Sequence, residues 1–85
     1  MFAVVFSEQA RRFLKQCAAI LKKRLIGRIR RLRAKPIDHD AKRVIGFGEK
    51  LFRVRVGHYR ILYEVDQSNR LLGIVKIEKR SRAYR

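Results

Sequence analysis

The chain has 85 residues, 47% of them hydrophobic, which is enough for one small domain with an apolar core. Its 23 lysine and arginine residues against 7 acidic residues give a net charge of +16, which opposes compaction and favours a nucleic acid as partner. A single cysteine excludes an internal disulfide and a cysteine-rich metal site, and we expect no metal and no cofactor. The sequence shows neither a signal peptide nor an apolar run long enough to span a membrane, so we expect a cytoplasmic protein without a membrane partner.

The first half of the chain predicts one strand and two helices. Residues 2–6 are continuously apolar, which is typical of a strand that is buried on both faces or packed under helices. Ser7 is a suitable helix N-cap, and from Ala10 onward apolar residues recur at helical spacing until Pro36 ends the helix. One helix over this stretch would be about 43 Å long, too long for a domain of this size. We therefore expect two helices with a break within residues 17–20.

The second helix carries a stripe of basic residues on the face that we expect to be exposed. The members are spaced three and four apart with no acidic residue among them, so neighbouring charges repel each other. They are Arg24, Arg28, Arg31 and Lys35. The stripe is either a solvated surface or a contact with a polyanion, and the pattern favours neither interpretation.

Residues 51–65 alternate between apolar and polar side chains and predict a β-hairpin. Gly57 and His58 suit a two-residue type II′ turn, which has glycine at its first central position. This turn fixes the register and places Arg55 opposite Arg60. The face that we expect to join the core carries Phe52, Val54, Val56, Tyr59, Ile61 and Tyr63.

The opposite face of the hairpin concentrates arginine, at positions 53, 55 and 60. Like charges directly opposite each other destabilise a sheet, whereas good cross-strand pairs contribute about 0.2–1 kcal/mol. The guanidinium groups therefore form either a solvated surface or a site for an anion. Arginine at all three positions favours the anion, because a guanidinium group binds phosphate through two parallel hydrogen bonds.

The rest of the chain completes an α+β domain. Residues 66–69 have the composition of a turn, and residues 71–77 predict a last strand. Residues 42–47 are a weaker strand candidate. The expected order is β-α-α-β-β-β, with two helices packed on a mainly antiparallel sheet.

This order, the hairpin and the C-terminal end together resemble the RelE/ParE toxin superfamily. Within it the chain is most similar to RelE, the mRNA interferase of bacterial and archaeal toxin–antitoxin pairs. The most specific features are G-x-Y-R-x-x-Y at residues 57–63 and the basic tail at residues 79–84, which ends in tyrosine. The resemblance covers nearly the whole chain and implies a single RelE-like toxin domain over residues 1–85.

The resemblance implies a ribosome-dependent mRNA endonuclease that uses no metal. In such toxins the ribose 2′-hydroxyl attacks the adjacent phosphate of mRNA in the ribosomal A site, and translation stops. The catalytic positions that the resemblance implies are Arg53, Arg55, Arg60, Arg80 and Tyr84. It also implies a RelB-like antitoxin that holds the toxin inactive.

Further basic residues are the expected contacts to RNA or to the ribosome. They comprise the helix stripe and two residues of the tail: Arg24, Arg28, Arg31, Lys35, Lys79 and Arg82. Tyr84 is expected to stack on a base, although a terminal residue is also prone to fraying.

Two positions depart from the well-studied RelE pattern, which has lysines where this chain has Arg53 and Arg55. Arginine stays protonated and does not accept a proton, so we interpret both residues as electrostatic stabilisers. A general base would have to lie elsewhere, and His58 is one candidate.

Two other functions are compatible with the sequence. The first is a non-enzymatic toxin on the same fold, which would inhibit gyrase as ParE toxins do or occupy the ribosome without cleavage. The second is a plain RNA-binding protein, suggested by charge alone, whose expression would not arrest growth.

Overall fold

The computed structural model describes residues 1–44 and 51–80, which form two helices and a five-stranded sheet. In chain order the elements are β1 (Ala3–Phe6), α1 (Glu8–Gln16), α2 (Ala19–Ala34), β2 (Lys42–Arg43), β3 (Leu51–Val56), β4 (Tyr59–Asp66) and β5 (Leu71–Lys79). The strands are arranged β1-β5-β4-β3-β2, with β1 parallel to β5 and the other neighbours antiparallel.

The predicted α+β class is confirmed, and the short β2 adds one strand to the expected order. Of the weaker strand candidate at residues 42–47, residues 42–43 form β2 and residues 45–47 lie outside the described part of the chain.

The two helices meet at a sharp break, as the sequence predicts. The hydroxyl of Ser7 caps α1 by accepting a hydrogen bond from the backbone N–H of Ala10 at 3.1 Å. Cys17 and Ala18 have extended backbone and separate α1 from α2. The second helix ends at Ala34, because the residue before a proline avoids the helical region.

Both helices pack on one face of the sheet and form the core with it. The largest fully buried side chains are Tyr63, Leu25, Leu32, Ile61, Leu72, Ile74, Ile77 and Val54. Each buried aliphatic side chain of this size contributes about 1.5–3 kcal/mol. The predicted core face of the hairpin is confirmed, with one half-buried member, Tyr59, whose ring meets Phe13 edge-on at 5.7 Å.

Of the two alternatives for the first strand, burial on both faces is wrong and packing under the helices is confirmed. Strand β1 lies at the edge of the sheet, so the helices cover one of its faces and leave the other open. Val4 and Phe6 pack against the core, whereas Val5 is 55% exposed. The exposed fraction therefore alternates along this strand, although every residue in it is apolar.

The hairpin has the predicted register. Arg55 pairs with Arg60, and Val56 pairs with Tyr59. Gly57 has a φ of +60°, whereas His58 is not in the positive-φ region, which is the combination expected of a type II′ turn. A side chain at Gly57 would also crowd Arg24, because a Cβ there would lie 3.2 Å from the guanidinium group of that residue.

Strands β4 and β5 shift register between Leu62 and Tyr63.

Side chains of the first helix and of its N-cap take the place of a neighbouring strand along the second half of β5. Beyond the end of β1, the side-chain amide of Gln9 binds both the N–H and the carbonyl oxygen of Ile77, at 3.0 and 2.8 Å. The hydroxyl of Ser7 donates to the carbonyl oxygen of Val75 at 2.6 Å. These bonds fix the part of β5 that carries Glu78.

The prediction that Arg28 lies on the exposed face of the second helix is wrong. Arg28 is 7% exposed, and its guanidinium group forms a salt bridge with Asp38 at 3.0 Å. The residue lies three positions after Leu25 and four before Leu32, so it shares their inward side. The other members of the stripe, Arg24, Arg31 and Lys35, are exposed as predicted.

The same buried cluster holds the loop that follows the second helix. Burial alone would raise the pKa of Asp38, but hydrogen bonds from the backbone of Asp40 and from Arg28 outweigh it and lower the pKa. The hydroxyl of Tyr63 donates to the carbonyl oxygen of Pro36 at 2.6 Å, and burial raises the pKa of this phenol to about 12. Two independent contacts therefore anchor the loop to the core.

We predict that Asp38→Asn destabilises the protein by about 2–3 kcal/mol at neutral pH, because Arg28 would lose its buried counter-ion. The lowered pKa of Asp38 stabilises the folded state above the unfolded pKa of about 3.9, and this contribution disappears as the pH falls through the folded value. Urea unfolding at a series of acidic pH values should therefore show that the free energy of unfolding falls less steeply with decreasing pH in the variant than in the wild type.

The matched control is Glu8→Gln, which removes an exposed ion pair with Arg12. This change should cost less than about 0.5 kcal/mol. An Asp38→Asn protein as stable as the control would contradict the assignment.

Candidate functional site

The face of the sheet away from the helices carries a cationic groove. Lys42 pairs in register with Arg53, and Arg55 follows on the same face two residues later. These three side chains, with His39 and Asp40, line a groove of about 290 Å³. The structure thus brings together two of the predicted site residues, Arg53 and Arg55.

Sequence reasoning missed three residues of this groove, Lys42, His39 and Asp40. Lys42 lies in the weaker strand candidate, and its pairing with β3 is the signal that would have placed it beside Arg53. His39 belongs to the loop that Arg28 and Tyr63 anchor. The predicted candidate for a general base, His58, lies exposed in the hairpin turn and is not among the groove residues.

Arg60 lies on the same face but is held by an acidic residue. It pairs in register with Arg55 on one side and with Glu78 on the other. Its Nε donates to Oε2 of Glu78 at 2.6 Å, and its terminal nitrogen contacts the same oxygen. The ammonium group of Lys76 lies 3.3 Å from Oε1 of Glu78. The carboxylate therefore offsets the repulsion between the two opposed arginines.

Glu78 is ionised under ordinary conditions. Burial alone would raise its pKa, but hydrogen bonds from Arg60 and Lys76 outweigh this effect and lower the pKa below its usual value. A carboxylate with a lowered pKa is a weak proton acceptor. Glu78 is therefore suited to holding cations in place and poorly suited to acting as a general base.

The C-terminal residues of the predicted site are described in part. The backbone N–H of Arg80 donates to the carbonyl oxygen of His58 at 2.8 Å, so the residue directly after β5 lies beside the hairpin turn. Lys79 is exposed and pairs in register with Tyr59, which places it on the helix side of the sheet. Arg82 and Tyr84 lie outside the described residues.

The exposed arginines of α2 form a separate cationic surface on the helix side of the sheet. Arg31 and Lys35 lie on this side, and Arg24 reaches the hairpin turn. Arg28 is withdrawn from the surface by its salt bridge with Asp38. Among the described residues, the predicted RNA contacts of the second helix therefore lie on the other side of the sheet from the groove.

Within residues 1–44 and 51–80, no group of three or more His, Cys, Asp or Glu side chains could hold a metal ion. None of the helices in that part of the chain is long and apolar enough to cross a membrane.

The fold and the sequence identify the class of protein. The family model described as the ParE toxin of type II toxin–antitoxin systems, parDE, matches residues 4–84. The chain therefore belongs to the ParE toxin family, and it is a type II toxin of the RelE/ParE superfamily. The resemblance to this superfamily that the sequence showed is confirmed.

Solved structures of RelE complexes have the same fold. A chain of the archaeal RelE–RelB complex from Pyrococcus horikoshii superposes with a TM-score of 0.82 at 25% identity, covering 95% of this chain and 97% of that one. A chain of the E. coli RelBE complex gives 0.84 at 15% identity, with coverage of 96% and 100%. A chain of the RelBE2 complex from Mycobacterium tuberculosis gives 0.80 at 24% identity, with coverage of 93% and 98%. No curated protein sequence matches the chain significantly.

We predict that Arg53→Ala and Arg55→Ala each weaken binding of a single-stranded oligouridylate by about fivefold to tenfold. Each change removes one cation from the groove, so the slope of log K against log salt should become shallower by about 0.7. Fluorescence anisotropy of the labelled oligonucleotide at several salt concentrations measures both quantities.

The matched control is Arg30→Ala, which removes the same charge from an exposed position of α2. It should change the affinity by less than about twofold. Equal losses in all three variants would mean that the oligonucleotide follows net charge and does not bind in the groove.

Proposed function

We propose that the protein is a ribosome-dependent mRNA endonuclease, which cuts mRNA in the ribosomal A site and so inhibits translation. The observation that carries this proposal is the groove lined by Lys42, Arg53 and Arg55. Three cations on two adjacent strands suit the phosphates of a single RNA strand. Membership of the RelE/ParE superfamily and the likeness to a chain of the Pyrococcus RelE–RelB complex support the proposal.

In the proposed reaction the ribose 2′-hydroxyl attacks the adjacent phosphorus, and the bond to the 5′-oxygen breaks. The products are a 2′,3′-cyclic phosphate and a 5′-hydroxyl. Negative charge grows on the phosphate oxygens in the transition state, so fixed cations beside them lower the barrier. Arg53 and Arg55 stay protonated and supply this stabilisation. Arg60 and Arg80 add cations nearby, and Tyr84 stacks on a base.

The protons of this reaction need a donor or acceptor other than arginine. His39 lines the groove with Arg53 and Arg55, and its Nε2 lies 3.4 Å from a carboxylate oxygen of Asp40. An imidazole beside a phosphate site is a suitable general acid or base. We therefore assign this role to His39 in place of His58.

The proposed partners are the ribosome, mRNA and a RelB-like antitoxin. The similar chains from Pyrococcus, Mycobacterium and E. coli were solved as toxin–antitoxin complexes. A protein of net charge +16 has strong electrostatic attraction for an acidic partner. An antitoxin that covers the cationic groove would also block access of RNA to Arg53 and Arg55.

A gyrase inhibitor is the second candidate function, because the matching family model describes ParE toxins. Such a toxin would inhibit supercoiling by gyrase without cutting RNA. It would not depend on the groove cations for a chemical step.

Primer extension on mRNA in a translating extract tests the proposal. The wild-type protein should produce discrete cuts within A-site codons, and Arg55→Ala and Arg80→Ala should reduce cleavage at least about a hundredfold through lost charge stabilisation. Arg30→Ala, on the helix side, should cut normally. Stalled translation with intact mRNA would refute the endonuclease, and inhibition of gyrase by the same preparation would favour the second candidate.

We predict that His39→Gln lowers the cleavage rate by about a hundredfold, since a general acid or base is lost. His58→Gln is the control and should leave the rate close to wild type. Single-turnover cleavage on programmed ribosomes gives the comparison. An unchanged rate in His39→Gln would exclude proton transfer by this residue.

A further inference from the structure

Glu78 lies between two cations on the open face of the sheet. One carboxylate oxygen, Oε2, accepts from Arg60, and the other, Oε1, faces Lys76 at 3.3 Å. The side chains of Arg60 and Glu78 are 17% and 23% exposed, so this contact is partly shielded from water. The arrangement follows from register, because Arg60 is paired with Glu78 and Lys76 lies two residues earlier on the same strand.

This carboxylate resembles a phosphate in the way that it meets its neighbours. Two negatively charged oxygens are presented to two separate cations, as the two non-bridging oxygens of a phosphodiester would be. Arg60 also lies directly opposite Arg55, whose side chain lines the groove. An RNA strand in the groove would therefore bring a phosphate close to the place that Glu78 occupies.

From this geometry we propose that Glu78 is a built-in counter-ion, which occupies the anion position between Arg60 and Lys76 until an RNA phosphate displaces it. The proposal rests on the proposed function in one respect, namely that the displacing anion belongs to RNA. Glu78 then acts on RNA binding through Arg60, and Arg60 is the residue that contacts the phosphate.

The physical consequence of this exchange is a threshold for RNA binding. Because the carboxylate is ionised, an incoming phosphate competes with an anion that is already in place. A short RNA that makes few other contacts gains little from displacing Glu78. An RNA strand that is held by further contacts, such as those on a ribosome, gains more binding free energy than the loss of the ion pair costs. Its phosphate then displaces Glu78 and binds Arg60.

The alternative role for Glu78 is to orient Arg60 towards RNA while remaining bound to it. The two roles predict opposite signs. Removing a competing anion strengthens RNA binding and increases the loss of affinity that Arg60→Ala causes. Removing an orienting contact weakens RNA binding and decreases the loss of affinity that Arg60→Ala causes.

A double-mutant cycle separates these roles. Four proteins are compared: wild type, Glu78→Gln, Arg60→Ala and the double variant. Anisotropy of a labelled oligouridylate is measured from about 50 to about 200 mM salt. We expect Glu78→Gln to bind about fivefold to tenfold more tightly, with a salt slope steeper by about 0.7 for the additional phosphate contact. We expect Arg60→Ala to weaken binding less than about twofold in the wild-type background and about fivefold to tenfold in the Glu78→Gln background.

Glu64→Gln is the matched control, because Glu64 is an exposed acid on the same face, paired with Leu51 and Gly73 at the other end of the hairpin. It makes the same change in charge and should leave the salt slope unchanged. Glu78→Asp retains the charge but is shorter by one methylene group, so it should tighten binding by an intermediate factor. Circular dichroism establishes that each variant is folded.

Equal affinities of Glu78→Gln and Glu64→Gln, weaker binding by Glu78→Gln, or an equal loss from Arg60→Ala in both backgrounds would each overturn the proposal. The proposed function fails separately. If the wild-type protein leaves ribosomal mRNA uncut, the endonuclease is refuted, while the coupling between Glu78 and Arg60 in oligouridylate binding is still measured. If mRNA is cut but no coupling is found, the counter-ion proposal alone is wrong.

Discussion

Excess positive charge is the constraint that shapes this protein. A chain of net charge +16 folds against its own repulsion, so the placement of its few carboxylates matters more than in a neutral domain. Two of them, Asp38 and Glu78, are paired with two arginines whose side chains are shielded from water, Arg28 and Arg60. Most of the remaining arginines and lysines stay at the surface, where water screens them.

These two ion pairs have different consequences because they lie on different sides of the sheet. The pair between Arg28 and Asp38 holds the loop after α2, and that loop forms one wall of the groove through His39 and Asp40. The pair between Arg60 and Glu78 lies on the open face itself. The first pair supports the shape of the site, and the second controls the charge that the site presents.

Local patterns in the sequence were sufficient for much of the fold. The cap at Ser7 and the register across Gly57 depend on residues close together in the chain, and both are confirmed. The helix break near Cys17 is also confirmed, but it follows from the length that a single helix would have and not from a local pattern. The spacing of Arg28 to Leu25 and Leu32 is consistent with its burial, but the spacing of the basic residues among themselves assigned it to the exposed face. The acid that compensates its charge was not predictable from local pattern, because Asp38 lies in a loop ten residues later, beyond the end of the helix.

The candidate site was predictable to a smaller extent for the same reason. Alternation along the hairpin placed Arg53 and Arg55 on one face, which needs no knowledge of other strands. The contributions of Lys42 and His39 depend on how the segment after α2 returns to the edge of the sheet. The contact of Arg60 with Glu78 depends on a register between β4 and β5 that contains an irregularity, and no local pattern encodes that shift.

The alternation of β3 also bears on how the superfamily diversifies. Phe52, Val54 and Val56 face the core and hold the strand in place, while Arg53 and Arg55 face outward and contribute little to the core. Substitutions at the outward positions therefore alter the chemistry of the open face at small cost in folding stability. A scaffold with two independent sets of positions can therefore change what its open face binds without a large loss of folding stability.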